Sequence, residues 1–256
     1  MDLTLTFLGT GTSHGVPAIG CRCPVCTSED PRNQRYRCSV LLQYDGRSVL
    51  IDTATEFRLQ AIRAGMTRLD AVLFTHSHAD HISGLDDLRS FSERQGAPIP
   101  CYSTAEALDD LRLRFDYIFR ETQVGGGKPR LDLRPVDGPF DLFGLQVVPV
   151  PVRHGRLLVL GFRFGRAAYV TDCNSIPESS MELLQGLDLL VLDGLRWRPH
   201  PTHFNIEQAL GVVARLTPAH SYFTHLTHDL DHATTNAQLP PGVELAYDNL
   251  TLSLEV

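Results

Sequence analysis

The segment 75–81, THSHADH, constrains the fold of this chain more than any other part of the sequence. It places four side chains able to bind a metal, His76, His78, Asp80 and His81, within six positions. The apolar run 70–75 before it predicts a buried strand, so the cluster lies where a strand gives way to a loop or helix. Neutral imidazoles suit zinc, manganese or iron, and a carboxylate adds negative charge for a second cation. The alternative is a solvated histidine-rich loop.

Three later apolar runs, each predicted to be a strand, end directly before a further metal ligand: His154, Asp172 and His225. Each residue alone is typical of a turn or a cap. Together with the first cluster they provide enough ligands for two metal ions. We predict these sets: His76, His78 and His154 for one ion, Asp80, His81 and His225 for the other, and Asp172 between them. The bridging role falls to Asp172 because a carboxylate has two oxygens that can serve two cations.

The order and spacing of these residues resemble the metallo-β-lactamase superfamily, whose His-x-His-x-Asp-His signature is followed by His, Asp and His. The resemblance runs along most of the chain, from Leu5 onwards. It implies an α/β (α+β) fold, a four-layer αββα sandwich with the ligand-bearing strand ends along one edge. The length suits one domain, 1–256. Asp52 resembles the family's buried carboxylate beneath the metal centre, and an ordinary turn aspartate is the alternative.

Hydrophobic periodicity predicts strands and helices in alternation. The predicted strands are 3–8, 38–44, 47–52, 70–75, 131–136, 145–152, 157–164, 167–171, 188–193 and 219–224, with two short strands closing the chain. The predicted helices are 55–65, 84–95, 104–119, 178–186 and 205–216. Gly125, Gly126 and Gly127 predict a mobile loop near the rim of the site.

A second metal site is predicted from the loop 20–26, where Cys21, Cys23 and Cys26 offer three thiolates. Cys-x-Cys-x-x-Cys suits a tetrahedral structural zinc that lacks one ligand. We favour His228 as the fourth ligand, and the alternatives are Cys38, His14 and His200. Three incidental or redox-active cysteines remain a further alternative. A zinc there would tie the N-terminal loop to the C-terminal half.

The segment 8–17 and the cysteine loop together resemble the phosphoribosyl 1,2-cyclic phosphate phosphodiesterase (PhnP-like) family of phosphonate metabolism. That resemblance implies hydrolysis of a small cyclic phosphodiester, with Asp80 and His203 as catalytic residues and His200 as a competitor for the role of His203. It also implies two active-site cations, manganese or zinc, beside the structural zinc. The PqqB family has a similar loop, which leaves a non-hydrolytic carrier as one alternative. A glyoxalase II or lactonase type of hydrolase is another, although it lacks the loop.

The predicted mechanism is attack on phosphorus by a hydroxide shared between two cations, with protonated His203 donating to the leaving alkoxide. Arg153, Arg196 and Arg198 are candidates for binding a remote phosphate. Cys173, directly after the bridging aspartate, is not part of the family pattern. Because alternation points neighbouring side chains apart, we interpret it as a packing residue.

Charge and spacing exclude several classes of partner and relative. A net charge of −7 argues against nonspecific binding to nucleic acid or membranes. Only 18 positions separate His154 from Asp172, which leaves no room for the RNA-binding arm of a tRNA 3′-processing nuclease. A true β-lactamase would be exported and usually carries cysteine in place of the bridging aspartate. The N-terminus lacks a basic leader and no apolar run could span a membrane, so we expect a cytoplasmic protein, with a homodimer left open.

Overall fold

The structure is a computed structural model and describes residues 1–121 and 127–256. Its fourteen described strands form two sheets of seven. The first sheet contains β1 Asp2–Gly9, β2 Ser39–Tyr44, β3 Arg47–Ile51, β4 Ala71–Leu73, β5 Ile99–Ser103, β6 Leu131–Pro135 and β14 Thr251–Glu255. The second contains β7 Phe140–Leu142, β8 Leu145–His154, β9 Leu157–Phe164, β10 Ala167–Val170, β11 Leu189–Asp193, β12 His220–Thr224 and β13 Val243–Leu245. Gly125 and Gly126 of the predicted glycine loop lie outside the described residues.

Each sheet is antiparallel on one side and parallel on the other. The first sheet has the order β14-β1-β2-β3-β4-β5-β6, and pairing is parallel from β3 onwards. The second has the order β13-β12-β11-β10-β9-β8-β7, and pairing is parallel from β10 to β13. Parallel neighbours bring their carboxyl ends to the same edge of a sheet. The residues that follow β4, β10, β11 and β12 therefore meet at one edge of the sandwich.

Helices cover the outer faces of both sheets. They are α1 Phe57–Arg63, α2 Ala79–Ile82, α3 Arg89–Gln95, α4 Ala105–Arg114, α5 Asp116–Phe119, α6 Glu178–Leu183, α7 Ile206–Leu216 and α8 His232–Asn236, with 3-10 turns at Pro31–Asn33 and Leu85–Leu88. Phe57 of α1 and Phe91 of α3 pack on the first sheet. Met181 of α6 and Ile206 of α7 pack on the second.

The central core lies between the two sheets. Phe7 and Leu42 from the first sheet pack there with Phe162 and Tyr169 from the second, all of them buried. With the two helical faces this gives four layers, and the predicted αββα sandwich is confirmed. No helix in 1–121 or 127–256 is both long and apolar enough to cross a membrane.

The glycines of the early LGTGT segment have a packing reason. A Cβ on Gly9 would lie 2.0 Å from the carbonyl oxygen of Arg37, and one on Gly11 would lie 2.8 Å from that of Arg35. Only glycine permits such close approach of two backbones. The segment after β1 therefore lies directly against residues 35–37, which lead into β2.

Two predicted helices differ from the structure, and one strand was not predicted. The predicted helix 104–119 breaks at Phe115, whose φ of −117° and ψ of 40° separate α4 from α5. The predicted helix 84–95 begins as the 3-10 turn and becomes α-helical at Arg89. Strand β5 was not predicted, and Pro100, a residue disfavoured in the middle of a sheet, lies inside it.

Candidate metal centre and active site

The loop after β4 carries the first group of candidate ligands into the interior. His76 and His81 are 1% and 0% exposed, while His78 and Asp80 are partly exposed. The short helix α2 turns the chain between His78 and His81, so that these side chains do not point along one line. Ser77 donates to a carboxylate oxygen of Asp110 in α4 at 2.6 Å, which anchors the loop from outside.

Asp52 lies beneath this loop and orients it. Its Oδ1 accepts from the backbone N–H of Thr75 at 2.8 Å, and its Oδ2 accepts from the Thr75 hydroxyl at 2.8 Å. The same Oδ2 lies 2.7 Å from Nδ1 of His81. With Nδ1 engaged in this way, Nε2 of His81 is the ring nitrogen that faces the cluster. The structure thus places Asp52 in the supporting position that the sequence resemblance implies.

One group of four side chains converges closely. Asp80, His81, Asp172 and His225 each offer a ligand atom, and these atoms all lie within 4.8 Å of one another. Asp172 stands in the middle, with Oδ1 at 3.2 Å from Nε2 of His81 and Oδ2 at 3.3 Å from Nε2 of His225. Asp80 Oδ2 lies 3.4 Å from Nε2 of His81. These are the residues predicted for the second ion, together with the predicted bridge.

The three histidines predicted for the other ion lie side by side. The ring centroid of His76 is 4.6 Å from that of His78 and 5.9 Å from that of His154. His154 Nδ1 lies 2.8 Å from the carbonyl oxygen of Thr202, which leaves its Nε2 for a ligand. Asp172 Oδ2 is 3.9 Å from Nε2 of His76, so the two groups meet at this carboxylate.

The backbone is strained at three of these positions. Asp52, Asp172 and His225 have φ angles of 61°, 51° and 61°. Each follows the end of a strand, and the left-handed conformation is uncommon for residues other than glycine. In each case the turn swings the side chain towards the common edge of the sandwich.

The chemistry of these donors fits divalent cations. Nε2 of His76, His81 and His225 is buried without a hydrogen-bond partner among the described residues. Although burial alone would lower it, the carboxylates of Asp172 and Asp80 raise the pKa of His81 well above its ordinary value. Burial opposes Asp172 in the same way at His225, whose pKa is also raised. The carboxylates that raise the pKa of His81 and His225 would favour metal ions in place of those protons, and burial keeps His76 neutral by lowering its pKa well below the ordinary value.

His203 lies directly beside this group. Its ring stacks on His225 with centroids 4.6 Å apart and contacts His154 at 4.5 Å. Its Nδ1 donates to Oδ2 of Asp193 at 2.7 Å, and that oxygen also accepts from the N–H of Cys173 at 2.9 Å. His203 precedes α7, whose start is fixed by a reciprocal capping box between Asn205 and Gln208.

Asp193 is the residue at this site that sequence reasoning missed. It is fully buried at the end of β11, and its other oxygen, Oδ1, has no partner among the described residues. The signal was present: the run 189–193 is apolar and ends in aspartate, as do the runs that deliver Asp52 and Asp172. His200 lies 5.1 Å from His203 between ring centroids and turns its Nδ1 towards Thr202.

The cysteine loop meets its predicted partner. Ligand atoms of Cys21, Cys23, Cys26 and His228 lie within 4.8 Å of one another. Nδ1 of His228 is 3.3 Å from Sγ of both Cys21 and Cys23. Hydrogen bonds from the Cys26 backbone and from His228 lower the pKa of Cys23 to about 6, so a thiolate forms readily there.

The rival fourth ligands His14, Cys38 and His200 are not part of this cluster. His14 is exposed, and Cys38 is buried against the hydroxyl of Thr224 at 3.4 Å. Cys173 is fully buried and packs in the core under the second sheet, as predicted. Of the arginines suggested for phosphate binding, Arg198 pairs with Asp229 at 2.8 Å, and Arg153 is exposed.

A model of the β-lactamase superfamily domain matches residues 47–226 of the chain, which is more than half of its length. The chain belongs to the metallo-β-lactamase superfamily. A solved structure named as a new diphosphatase from the PhnP family is 48% identical, with a TM-score of 0.93 over 99% of this chain and 98% of that one. Superfamily membership and this PhnP-family neighbour support a metal-dependent hydrolase.

Two curated relatives have a lower sequence identity to the chain than this solved structure has. A Porphyromonas gingivalis protein named octanoyltransferase is 41% identical over 95% of this chain, and the chain spans only 50% of that relative's length. Coenzyme PQQ synthesis protein B of Methylobacterium radiotolerans is 28% identical over 75% of this chain and 73% of that protein. This superfamily member therefore resembles PqqB only distantly.

Proposed function

We propose that this metal-dependent hydrolase cleaves a P–O bond of a small phosphodiester, with phosphoribosyl 1,2-cyclic phosphate as the preferred substrate. The observation that carries the proposal is the Asp193–His203 pair, which lies against His154 and His225 at the edge of the metal-binding group. A proton donor next to a cation site suits a reaction in which a poor alkoxide leaving group departs from phosphorus.

Seven residues would hold two cations, manganese or zinc: His76, His78, Asp80, His81, His154, Asp172 and His225. When bound, the cations would acidify water at neutral pH and offset negative charge on the phosphoryl oxygens. Asp172, whose two oxygens face His81 and His225, is the proposed shared ligand. Cys21, Cys23, Cys26 and His228 would hold a third ion, a structural zinc.

The chain's own groups would perform the proton transfer. Asp193 fixes the tautomer of His203 by accepting from Nδ1, which directs Nε2 towards the substrate. Protonated at Nε2, His203 would donate to the departing ribose oxygen. Asp80, with 12% of its side chain exposed against 3% for Asp172, is the proposed carboxylate that orients the attacking water.

Diphosphate hydrolysis is a second candidate. The neighbour at 48% identity is named a diphosphatase, and breaking a phosphoanhydride likewise needs charge neutralisation at phosphorus. Its leaving group is a phosphate, which departs without a proton more easily than an alkoxide does. The demand on His203 therefore distinguishes the two substrates. For the first candidate, the phosphodiesterase, we also propose a role in phosphonate metabolism and a cytoplasmic location.

The test is hydrolysis by the manganese-loaded protein of four substrates: a ribosyl cyclic phosphate, bis(p-nitrophenyl) phosphate, a nucleoside diphosphate derivative and an acyl thioester. Diester turnover that disappears in Asp172→Ala is the expected result. Turnover of the diphosphate alone would favour the second candidate. Turnover of the thioester alone, or of none of the four by protein with its metals bound, would contradict phosphorus chemistry.

A further inference from the structure

Arg35 is a buried charge that none of the proposed chemistry uses. The residue is 1% exposed. Its Nη1 donates to the carbonyl oxygen of Thr227 at 2.8 Å, and its Nη2 donates to that of Leu230 at 2.7 Å and to Oδ1 of Asn33 at 3.1 Å. Burial lowers its pKa to about 10, so the side chain keeps its charge at neutral pH. A guanidinium at this depth is tolerated because main-chain carbonyls accept hydrogen bonds from both of its Nη groups, although its Nε has no partner among the described residues.

The carbonyls that Arg35 binds bracket a ligand of the cysteine cluster. Thr227 immediately precedes His228 and Leu230 follows it by two positions. The same segment, 225–230, begins with His225 of the His/Asp group. One short stretch of backbone therefore carries one candidate ligand of each metal cluster, and the fork of Arg35 fixes its distal half.

The backbone of Arg35 holds the other side of the cysteine cluster. Its N–H donates to the carbonyl oxygen of Val16 at 2.7 Å, and the N–H of Val16 donates back at 2.9 Å. Cys21 follows Val16 by five positions. The neighbouring N–H of Thr12 donates to the carbonyl oxygen of Leu226 at 3.1 Å, which brings the two segments into direct contact.

We propose that Arg35 is a positioning residue that couples the two metal clusters by fixing segment 225–230 against the chain that leads into the cysteine loop. The inference rests on the two proposed metal sites and is independent of the substrate. Arginine suits this task because its planar fork reaches two carbonyl groups at once, whereas the single ammonium of lysine does not.

The experiment compares wild type, Arg35→Met and Arg35→Lys with Tyr44→Phe in the full chain. Tyr44→Phe is the matched control because it also removes a buried donor to a main-chain carbonyl, that of Leu142, at 2.5 Å. The rate of zinc transfer to a chromogenic chelator reports on the cysteine cluster. Only the part of the zinc signal that is missing in Cys21→Ser is assigned to this cluster. Manganese titration followed by electron paramagnetic resonance reports on the His/Asp group.

Losing an outer hydrogen-bonding partner of a metal ligand weakens metal binding by about 10–100-fold. Arg35 acts one step further out, on the backbone carbonyls beside His228 rather than on the ligand itself. We therefore expect zinc release to accelerate and manganese affinity to fall by up to about tenfold in Arg35→Met, with Tyr44→Phe unchanged at both sites. Values equal to the control at both clusters, or a change at only one of them, would overturn the coupling. If Arg35→Met does not fold, Arg35→Lys is judged by the same criteria. Wild-type protein that binds its metals normally but hydrolyses no phosphodiester would contradict the proposed function alone.

Discussion

Replacing Asp193 with asparagine would separate the charge of the Asp193–His203 pair from its geometry. In the wild type one carboxylate oxygen accepts from His203 Nδ1 at 2.7 Å and from the N–H of Cys173 at 2.9 Å. The amide oxygen of asparagine can accept both of these bonds. The tautomer of His203 should therefore survive, and only the negative charge behind it is lost.

The size of the effect follows from the two kinds of hydrogen bond. A bond to a charged group contributes about 1.5–3 kcal/mol and one to a neutral group about 0.5–1.5 kcal/mol. The difference, about 1–1.5 kcal/mol, corresponds to roughly a 5- to 13-fold fall in kcat. Because Asp193 is fully buried, with no water to replace its charge, we expect the upper part of that range.

The assay compares two leaving groups. Ribosyl cyclic phosphate releases an alkoxide that needs a proton, whereas p-nitrophenolate leaves without one, so the loss should appear with the first and nearly vanish with the second. His203→Ala should cost about 10²–10⁴-fold on the cyclic substrate, and the double variant should be no slower than His203→Ala. An equal loss on both substrates, or a loss of bound metal in Asp193→Asn, would refute the proton-donor role.

Three further changes test other parts of the molecule. Asp172→Ala should remove most turnover and at least one active-site metal equivalent by elemental analysis; retention of both would contradict the shared-ligand assignment. Cys21→Ser should remove one zinc equivalent and lower Tm while some turnover remains, and an unchanged zinc content would exclude a metal in the cysteine cluster. Burial, aided by Arg32 and Arg35, lowers the pKa of His232 to about 4, below its ordinary 6.5. The unfolded chain therefore binds the proton first as pH falls, and wild type should lose about 2 kcal/mol of stability, after allowance for screening, between pH 6.5 and 4. Urea titrations across this range should show a flatter profile for His232→Gln, and an identical slope would refute the buried neutral imidazole.

The strand-end ligands could be predicted because their signal is local. A short apolar run followed at once by a histidine or an aspartate is visible in the sequence, and parallel pairing then brings such ends together. Asp172 and His225 were found in this way, and the structure places Oδ2 of Asp172 3.3 Å from Nε2 of His225. The same signal ends at Asp193. An aspartate at the end of a predicted strand is easily interpreted as the last residue of that strand and not as a residue of the site.

Other features depend on distant parts of the chain and have no local signal. Arg35 resembles a surface arginine in the sequence, and its burial results from partners 192 and 195 positions away. The break at Phe115 lies inside a continuous helical pattern. Pro100 pairs with Asp132 of β6 but lies outside the pairing of β5 with β4, which begins at Cys101.

The left-handed backbone conformations at Asp52, Asp172 and His225 have a consequence for how the sequence can change. Glycine would occupy each of these backbone conformations with less strain, by about 1 kcal/mol per position. Asp52 also accepts from the buried N–H and hydroxyl of Thr75, so folding alone would retain it. Selection for folding alone would instead favour replacement of Asp172 and His225. A descendant released from catalysis should drift towards glycine or asparagine at these two positions first, while the buried leucines and valines of the sandwich stay. Asp172 and His225 would then distinguish members of the superfamily that still catalyse a reaction from members that retain only the fold.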